Sequence, residues 1–123
     1  MKRKDREVCQ EVLRLADLLE EELAQLHKQL NDNNLKVSSA MIESVIKRFM
    51  SANQEIAKVR GEIDTTVLKS EAMAVQQGFD YVVNAYEEEQ VGKVLEIIQF
   101  TLKPRVKTWR AKVHDVIGPY AQK

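Results

Sequence analysis

Lys103, Lys107, Arg110 and His114 follow one another at steps of four, three and four. On a helix, at about 100° per residue, that spacing stacks them in one basic row. Lys2, Arg3 and Lys4 add cations at the opposite end of the chain. Phosphate backbones, anionic lipid headgroups and acidic protein surfaces all answer to clustered Lys and Arg. These seven residues are therefore the candidate set for binding nucleic acid or another anion. The competing expectation is a solvated charged face, with Trp109 filling the core beside it rather than stacking on a base.

Other chemistry finds little support in the spacing. Gly61, Gly78, Gly92 and Gly118 are scattered, so there is neither a phosphate-cradling loop nor a dinucleotide fingerprint. A carboxylate-bridged metal pair in a helical bundle wants Glu three residues before each His, and Ala24 and Ala111 stand there instead. Cys9 and His27 share one helix but lie ~27 Å apart along it, at ~1.5 Å per residue. That is too far for a nucleophile and its base. The expectation is a chain with no catalytic residue, no metal site and no cofactor. Cys9 is the only cysteine, so an internal disulfide cannot form and a reduced, cytoplasmic setting is expected.

The elements that must carry these residues are helices. Four Gly and two Pro in 123 residues leave few places to turn, and 44% hydrophobic with 31% charged residues suits an amphipathic, all-helical chain. A first helix is expected from about Lys4 to Leu30, with Val8, Val12, Leu15, Leu19, Leu23, Leu26 and Leu30 on its buried stripe. Leu13 and Leu18 point off that stripe. They either widen the packed face or, if exposed, form a docking surface for a protein partner. Glu22, close to the stripe, is expected to reach solvent along the helix edge.

Residues 31–34 read Asn-Asp-Asn-Asn, a turn. In the second helix Ile42, Val45, Phe49, Ala52, Ile56, Val59 and Ile63 keep a heptad spacing, a coiled-coil seam that could also join two copies of the chain. A break at Gly61, with Asp64, Thr65 or Thr66 capping a third helix, gives an up-down-up-down four-helix bundle. The alternative is a long three-helix or coiled-coil-like arrangement with its break near Gly78. The last helix is expected to start near Asn84, with Glu87, Glu88 and Glu89 in its first turn. Its apolar stripe runs Val91, Leu95, Ile98, Leu102, Val106, Trp109, Val113, Val116 and Tyr120, with a bend at Pro104 and a stop at Gly118 and Pro119.

Net charge is zero by cancellation. The first six residues hold four bases against one acid, residues 103–123 hold six against one, and the interior holds nine bases against seventeen acids. In a four-helix bundle both ends meet at one pole, which would gather the cations there. The composition and patterning thus lead to a single helical domain acting as a protein-interaction module of adaptor, chaperone or inhibitor type. The alternative is electrostatic binding of nucleic acid or an anionic membrane through that basic pole. No apolar run reaches the ~18 residues of a membrane span.

Overall fold

In a computed structural model, which describes residues 2–32 and 35–122, the chain is all-helical and no strand occurs among the described residues. The elements are α1 (Arg3–Asn31), α2 (Leu35–Val59), α3 (Thr66–Glu87), α4 (Val91–Ile97), a π-helical turn (Ile98–Leu102) and α5 (Lys103–Ala121). α4, the π turn and α5 follow without a gap, so the architecture is a bundle of four antiparallel rods. Of the expected Asn-rich turn, Asn33 and Asn34 lie outside the described residues, as does Lys123 at the other end.

The stripes expected on α1 and α2 face inward. Val12, Leu15, Leu19, Leu23, Leu26 and Leu30 are buried, and so is every residue of the heptad seam from Ile42 to Ile63. Each Leu so buried contributes about 1.5–3 kcal/mol relative to exposure. The seam thus packs within the chain. At the centre Trp109 of α5 meets the Phe49 ring edge-on, centroids 5.2 Å apart, and Phe49 in turn meets Phe79 of α3 at 5.5 Å. Trp109 is fully buried, and its Nε1 has no hydrogen-bond partner among the described residues. Leaving that donor unmade costs about 1–3 kcal/mol, which the ring's apolar burial must offset.

The break between α2 and α3 falls at Gly61, not Gly78. Thr65 sits at the N-terminus of α3 without a side-chain cap, while the Oδ1 of Asp64 accepts the Thr66 N–H at 3.0 Å. Gly78 lies inside α3, where the backbone passes so close to the π turn that a Cβ on it would stand 3.0 Å from Leu102 Cδ1.

The end of α3 and the last rod depart from expectation in four places. Glu87 closes α3, Glu88 and Glu89 lie in the following turn, and α4 starts only at Val91. The reason is a Schellman cap: Glu89 takes φ 59°, its N–H reaches the Tyr86 carbonyl, and the Gln90 N–H reaches the Ala85 carbonyl, both at 3.0 Å. At Pro104, where a bend is expected, the rod carries a π turn immediately before the proline, in which the Lys103 N–H bonds to the Ile98 carbonyl five residues back, and the helix runs on without a gap. The buried stripe also shifts at both ends, to Val94 in place of Val91 and Leu95, and to Ile117 and Ala121 in place of Val116 and Tyr120. Finally, α5 continues through Gly118 and Pro119 to Ala121, since a proline in the last turn interrupts only one bond before the helix ends anyway.

Around the bundle the packing order is α2, α1, α5, α3. α1 lies closely along both α2 and α5, and α3 lies along the last rod, but α2 and α3 meet little beyond their phenylalanines. One side of the bundle is left open.

Candidate interaction surface

The basic row lies on the closed side, against α1. Arg110 Nε donates to Asp17 Oδ1 at 2.8 Å, and His114 Nε2 approaches the same oxygen at 2.8 Å as a second donor, since an ionised carboxylate can only accept. A further Arg110 nitrogen stands 3.9 Å from Glu20. Burial pushes the Asp17 carboxyl up, but the hydrogen bonds from His114 and Arg110 outweigh it and hold the group below its ordinary value. Lys103 Nζ, three turns away, stands 3.1 Å from Nδ1 of His27. The row is therefore half of an inter-helix seam. Of its members only Lys107 is exposed.

The termini do share a pole, where Gln10 Nε2 donates to the Ala121 carbonyl at 3.0 Å. Lys2, Arg3 and Lys4 stand exposed there, with Arg3 paired to Glu7. Lys103, however, is ~27 Å up the rod from Ala121, at ~1.5 Å per residue. The structure thus separates the seven candidate residues: three at the pole, and four running away from it along α1. Charge in the sequence could be counted, but its direction along a rod depended on which helix faced which.

Other residues singled out by pattern take structural positions. Glu22, half-buried, accepts from Arg48 and from Ser44 Oγ and ties α1 to α2 rather than reaching freely into solvent. Leu13 is half-buried and packs against the core, and Leu18 is half-buried too, so neither stands out as an exposed leucine. Cys9 is a buried free thiol, pushed up from its ordinary value by burial and by the nearby Asp5. Among the described residues no group of His, Cys, Asp and Glu could hold a metal ion, and no helix is long and apolar enough to cross a membrane.

The open side between α2 and α3 offers more. Near the Gly61 turn a groove of about 620 Å³ has Phe49, Ile56, Leu68 and Ala72 on its floor and Arg60 and Lys69 on its rims. Toward the other pole a second groove, of about 480 Å³, holds Ile42, Ile46, Val83 and Tyr86 between Glu43 and Glu87. The Phe49–Phe79 contact stands between them. Met73 of α3 lines the first groove and is 65% exposed. The two grooves, with the ring contact between them, form an apolar channel that is basic at one end and acidic at the other. The sequence did hold a signal for it: Ile46, Met73 and Val83 all lie beside the main stripes of their helices. Such positions suit a wider core equally well, since the gap between α2 and α3 leaves no mark on either helix alone.

The family model described as Domain of unknown function (DUF8042) matches residues 7–112, a span from the second turn of α1 to the middle of α5. No curated protein and no solved structure matches the chain.

Proposed function

The chain belongs to the DUF8042 family, and we propose that it is a non-catalytic helical interaction module whose docking surface is the open side between α2 and α3. The observation that carries this is the channel itself. Two grooves run between neighbouring helices on this side, floored by buried core side chains and edged by the partly buried Ile46, Ala72, Val83 and Tyr86 and the exposed Met73. Flexible, polarizable Met side chains adapt to a partner's shape, and surface-accessible apolar grooves of this kind suit helix-in-groove recognition. The electrostatic alternative is weakened by the pairing of Arg110 and His114 with Asp17, which leaves the row short of free cations.

Site-specific photocrosslinking in living cells tests this. A photoreactive residue at Ala57 or Met73, in the channel, is expected to give discrete adducts with protein. The same residue at Glu21 or Lys107, on the α1–α5 side, is expected to give none. Equal labelling from both sides, or none from the channel, would refute the assignment.

A further inference from the structure

We infer that the occupant of the channel is a second copy of this chain, laid across it antiparallel about a two-fold axis. The inference rests on the channel being the docking surface and adds which partner fills it.

Charge complementarity identifies the partner. Arg60 and Lys69 rim the channel at one end, and Glu43 and Glu87 rim it at the other, with Glu43 also shared by Lys47 one helical turn away. A two-fold axis near the Phe49–Phe79 contact reverses one channel over the other. Each basic end then faces an acidic end, twice over, as a self-complementary interface requires. A parallel arrangement would set like charges together. Met73, which lines the channel and is exposed, is the side chain available to enter the facing channel.

The dimensions agree with a modest dimer. From Ser39 to Val59 α2 runs ~30 Å at ~1.5 Å per residue, and two helices side by side are ~20 Å across. The face is therefore ~600 Å² per copy, or ~1,200 Å² for the pair, at the lower edge of stable interfaces. Association is expected at micromolar concentrations and to weaken in high salt.

Sedimentation of the purified full chain tests it. Wild-type protein is expected to reach twice its monomer mass across the micromolar range. The double variant Arg60→Glu with Lys69→Glu, and the double variant Glu43→Lys with Glu87→Lys, are each expected to stay monomeric, because each makes both ends of its channel alike in charge. Mixed together, the two variants restore complementarity at both ends and are expected to form a one-to-one heterodimer. All four residues are exposed, so helix content by circular dichroism should be unchanged. A wild-type monomer at the top of the range, or variants that dimerise alone or fail to pair when mixed, would overturn self-association. Channel-specific crosslinks to another protein would still uphold the docking surface in that case, whereas absence of any channel crosslink would remove both.

Discussion

Lys103 Nζ lies 3.1 Å from Nδ1 of His27. An ammonium can only donate, so Nδ1 must accept and the imidazole is neutral in this arrangement.

A pH dependence follows from that pair. Burial and then the Lys103 charge lower the His27 pKa from its ordinary value of 6.5. Between the folded and unfolded values the unfolded chain binds more protons, so stability rises with pH there. The contribution is complete above 6.5 and is lost as pH falls through that value toward the folded one. Urea midpoints should decline from neutral pH into the mildly acidic range, and less so in His27→Gln. The Asp17 carboxyl, held low, adds its own loss only around and below its ordinary 3.8. Parallel curves for wild type and His27→Gln in the mildly acidic range would contradict the assignment.

Asp17 is also the residue that keeps the basic row quiet. Asp17→Asn removes a charge from between Arg110 and His114, freeing His114 and leaving Arg110 only its longer contact with Glu20 beside Lys107. The variant should be retained longer than wild type on a heparin column at low salt, with the difference vanishing as salt is raised. Its stability should change by less than about 1 kcal/mol, because these ion pairs are more than a third exposed and well screened. If wild type already binds as strongly as the variant, the row is freer than its geometry indicates.

The same substitution should act oppositely at two glycines. Gly92→Ala, on the exposed side of α4 with open space around it, should stabilise by roughly 0.5–1 kcal/mol through helix propensity. Gly78→Ala gains the same propensity but drives a methyl against Leu102, whose side chain is fully buried and has little room to give. Overpacking of this kind costs about 1–3 kcal/mol, so the net effect should be neutral to destabilising, and Gly78→Val should be worse. Denaturant midpoints of the three variants measured together check the ordering.

How much of this was legible in the sequence depends on distance along the chain. The periodic spacing of Val12 to Leu30 and of Ile42 to Ile63 marked α1 and α2 and their buried faces, because burial against any neighbour imposes the same period. The end of α3 was not legible. Glu87 to Glu89 suit a helix N-terminus by charge, yet the backbone bonds of a Schellman cap place them at a helix end. That cap usually takes glycine, and glutamate gave no sign of it. The seam of Asp17 with Arg110 joins residues far apart in sequence, and the channel is a missing contact between α2 and α3. Neither leaves a local pattern on one helix.

Glu89 offers a direct check on that cap. A non-glycine residue in left-handed geometry carries a penalty of about 1–2 kcal/mol, from its Cβ against the neighbouring backbone. Glu89→Gly relieves it but adds freedom to the unfolded chain, so a net gain of roughly 0.5–1 kcal/mol is expected. Glu88→Gly, one residue earlier with φ −83°, has no such strain to relieve and should not stabilise. Equal effects at the two positions would mean that the strain at Glu89 is not felt.

The π turn has two candidate causes, Pro104 and the apolar spacing, and one substitution separates them. Val94, Ile98, Leu102 and Val106 are all fully buried at successive steps of four. At about 100° per residue each such step overshoots a full turn by about 40°, so three in a row would swing a regular α-helix about 120° off the core. One wider turn takes up much of that drift and keeps all four facing inward. Proline alone, lacking its N–H, would also favour a break in the hydrogen-bond ladder. If the spacing is the cause, Pro104→Ala keeps the bond from the Lys103 amide to the Ile98 carbonyl and changes stability by less than about 1 kcal/mol, the proline being exposed. Hydrogen exchange and amide chemical shifts across residues 98–106 read this out. A regular α-helical pattern in Pro104→Ala would instead assign the turn to the proline.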